Sequence, residues 1–283
     1  MITREAYAKV NIGLDVIRKR PDGYHEVRMI MQTVSIHDTL TFEKTAQDFR
    51  LTIAGSNLPT DDNNLIIKAA KLFMNTYGIE GGVSITLEKR IPVAAGMAGG
   101  STDAAAVFLG LRDLFEVEAD DEELKTLSVK IGADVPYCIM GGTALAEGIG
   151  EKLTRLKDVP KAWLLIAKPD VDVSTAFVYG NLKIDTVKIH PDIDAQLKAI
   201  EESDIYTLCE KMGNVLETVT IPAHPIIEQI KDDMKEAGAL NALMSGSGPT
   251  VFGVFDDCNK RDRAYEMLID KNYAKDVLKA VFV

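Results

Sequence analysis

Cysteine is scarce in this 283-residue chain: Cys138, Cys209 and Cys258 are odd in number and far apart. That excludes a disulfide framework and matches no metal-ligand spacing, so each reads as a small buried side chain in a reducing compartment. The four histidines, His25, His37, His190 and His224, add no local metal pattern. No apolar run approaches the roughly 20 residues of a membrane span, and Met1 to Glu5 lack the apolar core of a signal peptide. A cytoplasmic protein that touches no membrane is therefore expected. Positive charge is in deficit: 32 Lys and Arg against 43 Asp and Glu give a net charge of −11. With no basic stripe, this argues against RNA binding and against nonspecific adhesion to nucleic acid or anionic lipid. A small anion held by local donors remains open. Internal repeats and low-complexity tracts are missing, as are the two commonest nucleotide fingerprints, Gly-x-x-x-x-Gly-Lys-Ser/Thr and Gly-x-Gly-x-x-Gly.

What is present suits a soluble α+β protein of two domains. Hydrophobic residues make up 46% of the chain, enough for a core in each half. Ala6, Ala8, Val10, Ile12, Leu14 and Val16 alternate with polar positions, which predicts a strand with Lys9 and Asn11 on the opposite face. Pro21, Asp22 and Gly23 form a turn. Strands are expected over 27–36, 38–42 and 83–87, and a helix over 64–77. The acidic run 120–123 is the first turn of a helix over 122–131, with Gly132 as its stop and Asp134 on the exit loop. Gly141, Gly142, Gly148 and Gly150 mark a loop-rich stretch, and 157–161 reads as a linker. The second half restarts with a strand over 162–167. Helices follow over 193–201, 205–216, 225–237 and 261–268, with strands over 251–255 and 280–283. The predicted domains are 1–157 and 162–283, and mixed helices and strands in each half give the α+β class.

The most informative stretch is a glycine-rich loop that runs into a helix. It comprises Pro92, Val93, Ala94, Ala95, Gly96, Met97, Ala98, Gly99, Gly100, Ser101 and Thr102, followed by Asp103. Glycine permits positive φ and close approach of a ligand to bare backbone. Ser101, Thr102 and Asp103 are helix-start residues, and the expected helix begins with three alanines, Ala104 to Ala106, that leave room above its first turn. The first N–H groups of a helix lack intrahelical partners and sit at its positive end, so this junction suits a phosphate. A phosphate cradle, a strand lysine and an aspartate at a helix exit suggest phosphoryl transfer, with Asp134 taking a hydroxyl proton and Lys9 neutralising charge. Taken singly, a lysine placed like Lys9 is more often a solvated edge residue, and an aspartate like Asp134 more often a turn or cap residue. A second glycine-serine loop spans Met244 to Thr250.

Three segments, Ala8 to Ile12, Pro92 to Ala105 and Met244 to Thr250, resemble in order the three motifs of the GHMP kinases (galactokinase, homoserine, mevalonate and phosphomevalonate kinases). Pro21 to His25, Gly132 to Pro136 and Ala146 to Gly150 resemble the branch of that family acting on a cytidine diphosphate sugar alcohol. The resemblance covers nearly the whole chain. It implies a ribosomal-protein-like N-terminal α+β domain and a ferredoxin-like C-terminal domain. It also implies transfer of the γ-phosphoryl of ATP, with Mg2+, to the 2-hydroxyl of cytidine diphosphate methylerythritol. Its catalytic pair falls on Lys9 and Asp134, its ATP-phosphate loop on 92–102, and its adenine contacts on Asn64 and Lys89. Asn11 would hold the sugar-alcohol end. Tyr24 and His25 would stack on and hydrogen-bond the cytosine, with Tyr179 as a second face. The protein would work as a monomer or homodimer, in a bacterium rather than a plastid. Thr102 replaces a frequent serine and keeps the hydroxyl. Ala95 and Ala98 replace frequent glycines, so those positions need permissive backbone angles. Alternatives are a GHMP kinase for homoserine or a mevalonate derivative, which would need no nucleobase-binding turn, and a non-catalytic nucleotide-binding module.

Overall fold

A computed structural model describes residues 1–283. The chain forms two compact units. One comprises Met1–Ala8, Ile36–Ile91 and Ala98–Gly141; the other comprises Lys9–Ser35, Pro92–Met97 and Gly142–Val283. Two long strands, β1 (Ile2–Lys19) and β2 (His25–Thr45), contribute residues to both. The α+β class expected from the sequence is what is observed. No helix is long and apolar enough to cross a membrane.

The first unit continues with β3 (Arg50–Ala54), α1 (Leu65–Thr76), β4 (Gly82–Glu88), α2 (Gly99–Phe115), α3 (Asp121–Ser128) and α4 (Val135–Met140). Residues 39–45 of β2 pair antiparallel with β4, and β3 runs parallel to β4, with α1 as the crossover. Ile66, Ala70, Phe73 and Met74 of α1 are buried with Ala104 to Phe108 of α2 in one apolar cluster. Small residues let the helices approach closely. At Gly110 a Cβ would lie 2.6 Å from the Phe42 ring, so α2 can rest on β2 only without a side chain there. Asp120 caps α3 by accepting from the Glu123 N–H at 2.8 Å, as the acidic run implied. The expected strands 27–36 and 38–42 are one continuous strand. His37, the gap between the two expected strands, lies half-buried against the Tyr7 ring and the Glu5 carboxylate, and the neighbouring Asp38 is buried among partners described below.

The second unit contains β5 (Thr143–Gly148), β6 (Lys152–Arg155), β7 (Trp163–Pro169), α5 (Thr175–Asn181), α6 (Ile193–Glu201), α7 (Ile205–Lys211), β8 (Gly213–Asn214), α8 (Glu217–Ala223), α9 (Ile226–Glu236), β9 (Asn241–Met244), β10 (Val251–Phe255), α10 (Cys258–Lys271) and β11 (Ala274–Val281). A four-stranded antiparallel sheet has the order β11-β7-β10-β9, with α9 and α10 packed on it. Residues 27–32 of β2 pair with β5, and β8 pairs parallel with β1 at Gly13 and Leu14. Within the stretch 141–150, expected to be loop-rich, residues 143–148 are therefore a strand. Its glycines do the turning at either end, with φ of 63° and 73° at Gly141 and Gly142 and 72° and 112° at Gly148 and Gly150. The expected helix 205–216 stops at Lys211, because Gly213 and Asn214 are diverted into pairing with β1.

Candidate active site

The glycine-rich loop enters α2 differently from the expectation. The helix starts at Gly99, five residues before Ala104, so Ser101, Thr102 and Asp103 lie inside it and do not cap it. The N-cap position is Ala98, left-handed at φ 57° and ψ 27°, with no side-chain cap bond. Ala94 and Gly96 are also left-handed, at φ 52° and 67°, whereas Ala95 is not. Two alanines thus accept a conformation that costs a Cβ-bearing residue about 1–2 kcal/mol. The compensation is a helix whose first turn is Gly-Gly-Ser-Thr, with nothing bulky over its N–H groups. At Gly100 a Cβ would make only an ordinary contact with Leu65, 3.5 Å away. Packing therefore does not demand a glycine at this position. Ala104 to Ala106 serve the core. Thr102 is buried and donates its hydroxyl proton to the Tyr7 carbonyl at 2.7 Å, tying α2 to β1.

Beneath that turn sits an ion triad that sequence reasoning missed. Lys89 is buried, and its ammonium donates to Asp38 and, at 2.9 Å, to Asp103. The other Asp38 oxygen accepts from the backbone N–H groups of Arg90 at 2.5 Å and Ile91 at 2.8 Å. A Cβ on Gly99 would lie 3.1 Å from the Lys89 Nζ, which places the charge directly under the helix tip. Burial raises the Asp103 carboxyl to a pKa of about 7, Asp38 adds to the rise, and Lys89 opposes it. Both residues expected at the adenine are thereby in structural use. Lys89 neutralises carboxylates, and Asn64 is the N-cap of α1, accepting from the Ile66 N–H at 2.9 Å and donating to the Pro59 carbonyl at 2.7 Å. Their polar residue types gave no hint of which use would win.

Lys9 and Asn11 lie on one face of β1, as the period of two requires, and both are buried. Lys9 is not a solvated edge lysine. Its ammonium donates to the Asn11 Oδ1 at 2.7 Å, and its backbone N–H donates to the Met97 carbonyl at 3.2 Å. The catalytic candidate is thus bonded through its main chain to the glycine-rich loop. Asn11 donates its other end to the Met29 sulfur at 3.2 Å. Asp134 flanks the N-terminus of α4 in the right-handed helical region, with Pro136 behind it. Its side chain does not cap α4, while its carbonyl accepts from the Cys138 N–H at 3.1 Å. It belongs to the first unit and Lys9 to the second.

The turn between β1 and β2 is closed by an Arg20 N–H to Tyr24 carbonyl bond at 2.8 Å, with Gly23 at φ 88°. This sets Tyr24 at the tip, 60% exposed, and His25 at the start of β2. The His25 and Tyr179 rings meet at 5.1 Å and 41°. Two stacked layers need roughly 7–8 Å, so these two rings hold no base between them as they stand, and the expected stack, of Tyr24 and Tyr179 with His25 at the base edge, needs none there. Burial, then the charge of Lys19, lowers the His25 pKa below its usual value, so the ring is neutral at pH 7 and offers one donor and one acceptor.

Two family descriptions match the chain: GHMP kinases N terminal domain over residues 64–142 and GHMP kinases C terminal over residues 196–275. The first spans the α1, α2 and Asp134 region and the second spans the Met244 to Thr250 loop. The chain belongs to the GHMP kinase family. Its similarity extends through its length. A 4-diphosphocytidyl-2-C-methyl-D-erythritol kinase of Lachnoclostridium phytofermentans is 54% identical over 266 residues, 94% of this chain and 91% of the relative. One from Lachnospira eligens is 52% identical over 277 residues, covering 98% and 96%. Among solved structures, a 4-(cytidine 5'-diphospho)-2C-methyl-D-erythritol kinase superposes with a TM-score of 0.85 at 33% identity, covering 99% of both chains. A homoserine kinase from Cytophaga hutchinsonii, 19% identical with a TM-score of 0.76, shares the GHMP kinase fold.

Proposed function

We propose that this GHMP kinase transfers the γ-phosphoryl group of ATP to the 2-hydroxyl of 4-diphosphocytidyl-2-C-methyl-D-erythritol, a step of non-mevalonate isoprenoid precursor synthesis. The observation that carries the reading is identity above 50%, over nearly the full chain, to kinases bearing that substrate's name. The buried Lys9–Asn11 pair bonded to the glycine-rich loop suits the same chemistry.

In this reading the bare first turn of α2 receives the triphosphate, with the Gly99, Gly100 and Ser101 amides and the Ser101 hydroxyl directed at phosphate oxygens, while the Thr102 hydroxyl, bonded to the Tyr7 carbonyl, keeps that turn in place. The ammonium of Lys9, held in place by Asn11, faces the transferred phosphoryl group and offsets its charge. Asp134 accepts the proton of the 2-hydroxyl as the new oxygen–phosphorus bond forms and the bond to the β-phosphate oxygen breaks, releasing ADP. Asn11 orients the sugar alcohol. Tyr24, His25 and Tyr179 hold the cytosine, with neutral His25 bonding its edge and the tyrosine rings stacking on it. Asn64 and Lys89 border the adenine through the elements they anchor. The chain has no group of three or more His, Cys, Asp or Glu side chains able to hold a metal. Mg2+, where it binds with the nucleotide, would neutralise charge on the triphosphate.

The two catalytic domains divide at 157–162, where residues 156–162 form neither helix nor strand. The enzyme works in the cytoplasm as a monomer or homodimer. The deciding experiment is an ADP-release assay on the purified protein with Mg-ATP and, in turn, the cytidine diphosphate compound, homoserine and mevalonate. Turnover is expected with the first; faster turnover with either other alcohol overturns the assignment.

A further inference from the structure

We propose that Asn214 is a positioning residue for phosphoryl transfer: it holds the Met244 to Gly248 loop in the one place from which Ser245 can lock the glycine-rich loop against the strand of Lys9. The proposal rests on reading residues 92–102 as the phosphate loop.

Asn214 is buried, and both hydrogens of its amide nitrogen are used on one loop. It donates to the Met244 carbonyl at 2.8 Å and to the Gly246 carbonyl at 2.7 Å. Its Oδ1 accepts from the Leu216 N–H at 2.9 Å, which fixes the orientation of the amide. The residue is anchored from behind as well, because β8 pairs with β1 at Leu14 and the Val215 N–H donates to the Leu14 carbonyl at 3.0 Å. The loop so held presents Ser245 to the glycine-rich loop. The Ser245 hydroxyl donates to the Gly96 carbonyl at 2.9 Å, and the Ser245 carbonyl lies 2.3 Å from where a Cβ on Gly96 would be. One residue further on, the Met97 carbonyl accepts from the Lys9 N–H at 3.2 Å.

These bonds close a ring. It runs from Lys9 along β1 to Leu14, across to Asn214, through Met244 and Gly246 to Ser245, on to Gly96 and Met97, and back to Lys9. A closed ring over-determines the position of the glycine-rich loop relative to the lysine strand, which is what transfer from a bound triphosphate demands. Only an amide meets the local chemistry. Two buried carbonyls need two donors from one atom; an aspartate in that place supplies none, and a serine hydroxyl supplies one. Thr220 and Thr175 add bonds to Ser247 at 3.2 and 2.9 Å, which steady the loop tip but do not reach Gly96.

The test is steady-state kinetics, with thermal unfolding as a fold check, on Asn214→Ala, Ser245→Ala, the double variant and Gly100→Asp. Asn214→Ala is expected to raise the KM for ATP about tenfold and to lower kcat at saturating ATP about tenfold, since the triphosphate is no longer held in place against the lysine strand. Ser245→Ala is expected to raise that KM about fivefold. In the double variant the serine change adds less than twofold, because the hydroxyl has already lost its position. Multiplying effects overturn the proposal, as does an unchanged ATP KM in folded Asn214→Ala or in Ser245→Ala while Gly100→Asp raises it. An unchanged KM in Gly100→Asp instead overturns the phosphate-loop reading, and the proposal with it. If Asn214→Ala does not fold, Asn214→Ser, which keeps one donor, takes its place in the cycle under the same criteria.

Discussion

Replacing Lys89 by methionine separates two roles for that residue. If its ammonium is chiefly a nucleotide contact, the variant keeps its stability and loses affinity for ATP. The geometry argues for the reverse. Lys89 is the cation paired with two buried carboxylates, Asp38 and Asp103, beneath the first turn of α2. Removing one partner of a buried ion cluster costs about 3–5 kcal/mol, because the charge left behind is not rehydrated. At about 2–4 °C per kcal/mol for a chain of this size class, the melting temperature falls on the order of 10 °C. The loss depends on pH. In the folded wild type burial holds the Asp103 pKa up at about 7, well above the usual carboxylate range. A raised carboxyl pKa means the folded state binds more protons, so this group's contribution to stability is greatest below pH 4 and declines as pH rises to about 7. Without the lysine the proton is held to higher pH and the decline extends upward. The deficit of Lys89→Met against wild type should therefore be greater at pH 8.5 than at pH 5.5, by about 1–3 kcal/mol. Urea unfolding at the two pH values measures it. A deficit below 1 kcal/mol at pH 8.5, combined with a large rise in the KM for ATP, refutes the structural reading.

Three further outcomes are expected. Asp134→Asn should lower kcat about 10²–10⁴-fold with little change in either KM, as loss of a general base does; retained turnover in rapid-quench assays removes that role. Ala98→Gly relieves a left-handed alanine and should raise stability by about 0.5–1 kcal/mol, the strain being partly offset by a more flexible unfolded chain. It should also shift the affinity for ATP; no change in melting temperature or affinity contradicts the argument. Gly110→Val forces a side chain into the Phe42 ring and should cost about 1–3 kcal/mol or more in thermal unfolding.

The strands and the loops between them were legible where pattern and chemistry agreed. β10 and α6 lie where alternation and helical spacing put them, and the Pro-Asp-Gly turn sits where its residues demand. The short elements escaped. α4 follows an aspartate and carries a proline, and β5 is bracketed by four glycines, so local propensity spoke for loops while tertiary pairing decided otherwise. The cap of α2 was misplaced for a related reason. Ser101 to Asp103 are the usual capping types, and nothing local announces that an alanine will turn left-handed three residues earlier. The face of Lys9 and Asn11 followed from alternation, but their burial did not, since both faces of β1 are covered. Asp38, Asp103 and Asn214 act through partners 14 to 53 residues away in the chain, and a single sequence carries no signal for such pairings.

The touching rings of His25 and Tyr179 bear on how this molecule discriminates among visitors. In the resting protein each ring shields part of the other from water, so in the proposed reading a cytosine stacking on Tyr179 would trade one aromatic neighbour for another and gain only the difference. Weak or poorly shaped aromatics cannot part the pair at a profit in free energy, whereas one that also satisfies the neutral imidazole can. Selectivity at that end is thus expected to depend more on edge hydrogen bonding than on ring size. Inhibitors built on bulk alone should bind less well there than their contact area suggests.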